Sequence, residues 1–246
     1  MSSALLLAAG KATRLEGIRN QFAKANVPVG NTTPLRFLLA RLATAGITEI
    51  WVNLHFHPQQ VRDEALRWAA PTMNLHFLNE PHLLGTGGTL LEMVQQSGSL
   101  PDVIVNAKMF TDFDFQVLTS QTSSPVGSVM VLHPLTALAD YGGLTYDANG
   151  LISGLHPRNA PSPANPTGAA VFTGIARPDS AWLDFLRQAR LATPKLPICS
   201  IRHGLVPAIA AGISSARALL HHGYWKEIST PQRVAEIRAE MPDVLS

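Results

Sequence analysis

Short apolar runs recur along the chain, each followed by a stretch whose apolar residues fall at helical spacing, and this alternation limits the fold more than any other feature. Ala4 to Ala8 reads as a strand that runs straight into a loop, Gly10-Lys11-Ala12-Thr13-Arg14. Pro34 to Ala45 carries Leu35, Leu38, Leu39, Leu42 and Ala43 on one helical face and stops at Gly46. Ile47 to Leu54 is β-branched and apolar, Gln59 to Ala69 is helical, and Asn74 to Leu78 reads as a strand. Gly85-Thr86-Gly87-Gly88 then opens a helix through Thr89 to Gln96, and Asp102 to Asn106 is a compact apolar strand. Strands this short, apolar and separated by amphipathic helices predict an α/β fold with a mostly parallel central sheet flanked by helices.

The second half is less regular. Val126 to His133 and Gly143 to Asp147 read as strands, and Leu151 to Leu155 is a hairpin partner across the turn Asp147-Ala148-Asn149-Gly150. Pro157 to Pro166 is a Pro/Asn/Ser-rich loop, after which Gly168 to Phe172 returns as a strand. Ser180 to Ala192 and Leu205 to Ala211 are helical, His222 to Ile228 holds two aromatics near a strand, and Pro231 to Met241 closes with a helix. The change in style near residue 120 suggests two lobes, 1–120 and 121–246, of a single domain over 1–246.

Composition removes several function classes. With 246 residues, 46% of them hydrophobic, and a net charge of +2, the chain supports a large core and is not disordered. The same small imbalance argues against a nucleic-acid binder, so any anion site must be local. Only 15% of the residues are charged, against about 25% in ordinary domains. Cys199 is the sole cysteine, which excludes an internal disulfide or a cysteine metal cluster and makes a reducing cytoplasm the default. The apolar opening is too short and lacks the basic start of an export signal, and no apolar run is long enough for a membrane span.

Ligands of open α/β sheets bind beyond the carboxyl ends of the strands, where Gly10 to Arg14 sits. A glycine there lets backbone N–H groups approach a phosphate, and Arg14 adds a permanent charge. Taken alone, such a loop is more often an ordinary βα turn, and Lys24 reads as a solvated surface lysine.

In order, however, the pieces resemble the sugar-phosphate nucleotidyltransferases. The family pattern LAAGxGTRL stands here as Leu7-Ala8-Ala9-Gly10-Lys11-Ala12-Thr13-Arg14-Leu15. PKxLxPV stands as Ala23-Lys24-Ala25-Asn26-Val27-Pro28-Val29, followed by Pro34-Leu35. Val52-Asn53-Leu54-His55, Leu84-Gly85-Thr86-Gly87-Gly88 and a late Gly223-Tyr224-Trp225-Lys226-Glu227-Ile228-Ser229-Thr230-Pro231, similar to GxWxDIGTP, complete the match. The segment from Val105-Asn106 to Phe115 is most similar to short bacterial N-acetylmuramate 1-phosphate uridylyltransferase-like members, and no added β-helix is expected after Ser246.

The resemblance implies a Rossmann-like nucleotidyltransferase fold, with a nucleotide-binding lobe at 1–120 and a sugar-phosphate lobe at 121–246. It implies nucleotidyl transfer from a nucleoside triphosphate to a sugar 1-phosphate with release of pyrophosphate, and Mg²⁺ as the usual cofactor. Arg14 would lie on the triphosphate and Lys24 by the reacting phosphates. Leu7, Ala8, Ala9, Gly10, Lys11, Ala12, Thr13 and Asn106 would cradle the nucleotide, while Glu80, Gly85, Thr86 and Gly87 would face base and ribose. Gly143, Arg158, Gly168 and Trp225 would meet the sugar phosphate.

Departures from the pattern bear on the chemistry. Where relatives have Asn-Gly-Asp, with an aspartate that holds Mg²⁺, this chain has Asn106-Ala107-Lys108, and the second metal aspartate is Glu227. An ammonium repels a hard cation, so the usual metal site is expected to be broken. Ala12 replaces a loop glycine, Ala23 a proline and Ser229 another glycine. Three readings stay open: Lys108 replaces the metal and pairs with Glu227, as catalytic residue with Arg14 and Lys24; the chain binds its ligands without turnover, as a regulatory subunit or sensor; or Asp112, Asp114 and Glu227 recruit a displaced metal. A homo-oligomer or a complex with an active paralogue is compatible with these readings. Asp112-Phe113-Asp114 also has the form of a glycosyltransferase metal motif, against which the Leu84 to Gly88 marker argues.

Other signals have plainer explanations. His55 and His57 are expected as loop residues, Asp112 and Asp114 as caps or surface, and His221-His222 as surface. Cys199 is expected to be buried and unreactive, and Trp51, Trp68 and Trp182 to be packing residues.

Overall fold

A computed structural model describes residues 1–120, 127–134, 138–161 and 168–244, with side chains as far as 240. In chain order the strands are β1 (Ser3–Leu7), β2 (Glu49–Leu54), β3 (Asn74–Asn79), β4 (Val103–Asn106), β5 (Met109–Thr111) and β6 (Ser128–His133). They continue as β7 (Gly143–Tyr146), β8 (Ile152–His156), β9 (Gly168–Arg177), β10 (Ala216–Leu220) and β11 (Trp225–Glu227). The helices are α1 (Pro34–Thr44), α2 (Pro58–Trp68), α3 (Gly85–Ser97), α4 (Gln116–Thr119), α5 (Leu138–Tyr141), α6 (Ala181–Ala192), α7 (Val206–Ala210) and α8 (Pro231–Val244). The fold class is the one expected, a mostly parallel central sheet flanked by helices.

The chain forms two compact units. The first holds Met1–Leu83, Val105–Val117 and Gly223–Ser246, and the second holds Leu84–Ile104 and Leu118–His222. In the first unit β1 pairs in parallel with β2, Ser3 opposite Glu49, and β2 in parallel with β3, Glu49 opposite Asn74. Its helices form for local reasons: Thr33 caps α1 by accepting the Arg36 N–H at 3.1 Å, Pro34 fills the first turn, and Leu35, Leu38, Leu39 and Leu42 bury one face. Each buried leucine stabilises the packing by about 1.5–3 kcal/mol. A small ribbon completes this unit, β5 antiparallel to β11.

The second unit contains antiparallel pairs, β6 with β9 and β7 with both β8 and β9, while β10 lies parallel to β6. The hairpin expected near Asn149 is the β7–β8 pair. The β10 strand and the extension of β9 beyond Phe172 were not foreseen from sequence. Val126 and the part of the 157–166 loop from 162 onward lie outside the described residues. Among the described residues no helix is long and apolar enough to cross a membrane.

Candidate functional site

The β5–β11 ribbon builds the charged centre of the first unit. After β4 the chain turns, with Ala107 N–H donating to Leu7 O at 3.1 Å and Lys108 N–H to Asn106 O at 2.7 Å, and enters β5. Register then decides the rest: Met109 faces Glu227 across the ribbon, and Ile228 N–H donates to Lys108 O at 2.7 Å. Alternation along β11 buries Trp225 and Glu227 and turns Lys226 the other way, to Glu240 Oε1 at 2.5 Å. Lys108 Nζ forms an ion pair with Glu227 Oε2, the two side chains being 26% and 10% exposed. Arg233 Nη1 lies 3.7 Å from Glu227 Oε1 and donates to Ser229 Oγ at 2.6 Å.

Lys24 joins this cluster from a single turn, Lys24–Asn26. Burial, then the charges of Lys108 and Arg14, lower its pKa from 10.5 to about 8, with Glu227 opposing them in part. Burial pushes the Glu227 carboxyl up, but Lys108, by charge and hydrogen bond, together with Lys24 and Arg233, outweighs it and holds the group below the usual carboxylate range. Arg14, Lys24, Lys108 and Arg233 thus share their field with one carboxylate.

The loop after β1 is held from below by a residue that sequence reasoning passed over. Asn53 Oδ1 accepts the N–H groups of Ala8 at 2.6 Å and Ala9 at 3.1 Å, and its Nδ2 donates to Glu80 Oε1 at 2.8 Å. Glu80 is buried, and one of its oxygens is engaged in orienting Asn53. The available signal was an amide in an otherwise apolar buried strand. Gly10, Lys11, Thr13 and Arg14 are exposed, whereas Ala12 is buried at φ 53°, the left-handed region. Its methyl packs with Leu15, Val27, Val29, Phe110 and Ile228, which offsets a backbone cost of about 1–2 kcal/mol. Arg233 was also missed; a cation in the first turn of α8, where helix dipoles disfavour it, was the clue.

The second unit holds the remaining marker residues. Gly85, at φ 74°, opens α3 against backbone: a Cβ there would lie 2.5 Å from Ile198 O. Gly87 N–H donates to Ile198 O at 2.9 Å, and Thr86 Oγ1 accepts Ser200 N–H at 2.9 Å. A Cβ on Gly143 would sit 2.0 Å from Ala170 O, and one on Gly168 would enter the Tyr146 ring. Arg158 is exposed and donates from Nε to Tyr141 O at 3.2 Å.

Several plainer expectations hold and some need correction. Asp114 Oδ1 caps α4 by accepting Gln116 N–H at 2.9 Å. His55 and His57 bond backbone carbonyls, Glu80 O at 2.8 Å and Arg19 O at 3.0 Å. Asp112, Asp114 and Glu227 do not converge: among the described residues no group of three or more His, Cys, Asp or Glu side chains is placed to hold a metal. Cys199 is only partly buried, just before the Ile201–Leu205 turn, and its backbone N–H donates to His203 Nδ1 at 2.8 Å. Trp68 lies at the surface, 36% exposed, where the Arg36 guanidinium stacks 3.6 Å from its ring centre.

The first unit thus sets a cationic cluster beside the loop that follows its first parallel strand, the end of an α/β sheet where ligands bind. Residues 3–239 match the nucleotidyl transferase family, and the chain belongs to it. It is 30% identical over 122 residues to N-acetylmuramate alpha-1-phosphate uridylyltransferase of Neisseria meningitidis, covering 49% of this chain and 53% of that protein. It is 21% identical over 231 residues to mannose-1-phosphate guanylyltransferase of Mycobacterium tuberculosis, covering 93% of this chain and 61% of that protein. The chain therefore spans about half to three fifths of the length of these curated relatives. The crystal structure of HddC from Yersinia pseudotuberculosis complexed with GMP-PN superposes with a TM-score of 0.74 at 15% identity, over 98% of this chain and 100% of that one, a likeness of fold.

Proposed function

We propose that the chain is a divergent sugar-1-phosphate nucleotidyltransferase in which protein cations, Lys108 foremost, do the work that relatives give to a metal. The observation that carries this reading is the cluster itself. Lys24 is half-buried beside Lys108 and Arg14, an arrangement that costs stability unless a polyanion arrives. A triphosphate turns that cost into affinity through charge-assisted hydrogen bonds. The names of the relatives, both acting on sugar 1-phosphates, support the choice of acceptor.

In the proposed reaction a phosphate oxygen of the sugar 1-phosphate attacks the α-phosphorus of the triphosphate in line. The bond from that phosphorus to the bridging oxygen breaks, and pyrophosphate leaves with the electron pair. Little covalent chemistry is asked of the protein; alignment and neutralisation of charge carry the rate. Arg14 holds the triphosphate, while Lys24 and Lys108 stabilise charge on the transferred and departing phosphates. Leu7 to Thr13 and Asn106 bind the nucleotide, Glu80 and Gly85 to Gly87 serve base and ribose, and Gly143, Arg158, Gly168 and Trp225 serve the sugar phosphate, each by its motif position. A cytoplasmic location belongs to the same reading.

Magnesium, which the family resemblance implies, does not suit the donor set of this cluster. Lys108 brings an ammonium to the carboxylate that would have to ligate the ion, and among the described residues no group of three or more His, Cys, Asp or Glu side chains is placed to hold one. No step is therefore routed through a metal.

Pyrophosphate release from a panel of triphosphates and sugar 1-phosphates, with Mg²⁺ and with chelator, tests the proposal. Turnover that survives chelation is expected; turnover abolished by chelator contradicts it. The ion pair between Lys108 and Glu227 also favours a second reading, a binding subunit or sensor, alone or with an active paralogue. Triphosphate binding with no turnover under either condition would select it.

A further inference from the structure

We propose that Gln60 is the positioning residue for Lys24, fixing by hydrogen bonds the backbone that presents this lysine to phosphate. The proposal rests on the reading of Lys24 as a phosphate ligand. Lys24 sits beside Lys108 and Arg14, whose charges oppose its own, so the backbone that carries it gains from an external restraint. That turn is short, three residues, and Ala23 before it offers no side-chain cap. Gln60 supplies the restraint from the first turn of α2. Its Oε1 accepts the Ala23 N–H at 3.1 Å, its Nε2 donates to Gln21 O at 2.8 Å, and its backbone carbonyl accepts Asn26 Nδ2 at 2.8 Å. One residue thus grips the segment before and after Lys24.

The grip comes from a firm support. α2 buries Val61 and Ala65, and His57, immediately before it, is bonded to Arg19 O at 3.0 Å. Asn26 shows the same bias: its Oδ1 is buried with no hydrogen-bond partner, while its Nδ2 is committed to Gln60. Ala23 itself lies at φ −59° and ψ 148°, the backbone that a proline would impose covalently. A hydrogen bond to its N–H, which proline lacks, achieves the same restraint here.

The test is Gln60→Met, read by pyrophosphate affinity and by the acylation rate of Lys24 relative to Lys226 in the same molecule, resolved by mass spectrometry. Affinity is expected to fall about fivefold to tenfold, as for loss of one or two hydrogen bonds. The relative labelling of Lys24 should rise severalfold, whereas general loosening would raise both lysines alike. Ala23→Pro added to a folded Gln60→Met variant should restore both readouts. Unchanged labelling and affinity in Gln60→Met, or a folded double variant with no recovery, overturns the proposal. Amide exchange at Ala23 in the unaltered protein provides a check that needs no variant: protection is expected, and exchange as fast as that of an exposed loop amide overturns it. If the unaltered protein binds no pyrophosphate while the Lys24 labelling changes as described, the positioning role stands and the phosphate reading fails.

Discussion

The two units keep their motif residues for different physical reasons. In the second unit Gly85, Gly87, Gly143 and Gly168 each have close neighbours of their own, since an added Cβ would meet backbone, the Leu186 side chain or a ring at 2.0–2.6 Å. In the first unit Lys24 and Arg14 lie close to Lys108, which itself pairs with Glu227, and packing gains nothing from cations placed close together. A motif glycine can therefore be explained by its scaffold, whereas a lysine placed among other cations is not explained by packing.

The sharpest way to break this contrast is to exchange the two behaviours. Gly143→Ala should destabilise the protein by about 3 kcal/mol or more, seen as a lower urea midpoint, because the clash at 2.0 Å is with the Ala170 carbonyl. A midpoint shift under about 0.5 kcal/mol would show that the β7–β9 ladder is looser than its contacts imply. Lys24→Met should do the reverse: triphosphate affinity falls by about 2 kcal/mol, as for a charged hydrogen bond, with the urea midpoint unchanged or raised. A destabilised Lys24→Met with normal binding would make Lys24 a structural residue.

Acidity sharpens the same point. Lys24 titrates near 8 when folded against 10.5 unfolded, so between those values the unfolded chain holds more protons. Stability should accordingly rise with pH across that window, the penalty being complete below about 8 and relieved by 10.5. Pyrophosphate affinity should move oppositely, weakening as pH climbs through about 8, and Lys24→Arg should abolish that dependence. Lys108→Asp addresses the ion pair: beside Glu227 it should create a paired carboxylate site, with Mn²⁺ affinity raised about tenfold in a calorimetric titration. Unchanged affinity would mean that Glu227 and its surroundings are no longer shaped for a cation.

The smallest effect is expected at Ala12→Gly. It relieves a left-handed alanine but removes a buried methyl, two quantities of about 1 kcal/mol that oppose each other, so the urea midpoint should hardly move. A large change of either sign would show that one term has been misjudged.

Much of the scaffold was legible in the sequence because its signals are local. The α1 stripe and the apolar β1 and β2 runs need no distant information. The ribbon was not legible, since β5 and β11 have three residues each, too few for a period, and meet only through tertiary pairing. The pairing of Lys108 with Glu227 was anticipated through the family motifs and not through any pattern in the residues themselves. Asn53 and Gln60 escaped for the same reason as the ribbon, each acting on a segment far away in sequence, whereas Arg233 acts on the nearby Glu227 and Ser229 and was hinted at only by its charge in the first turn of α8. The glycine markers carry a second, local explanation that the sequence did not show, since an added Cβ at each would meet close neighbours.

Triphosphate affinity measured calorimetrically in chelator and again in saturating Mg²⁺ tests the central claim most directly. If Lys108 and its neighbours stand where relatives place a metal, affinity in chelator should equal or exceed that with Mg²⁺, because the uncomplexed triphosphate carries more charge to a cationic site. Binding that appears only when Mg²⁺ is present would contradict the account.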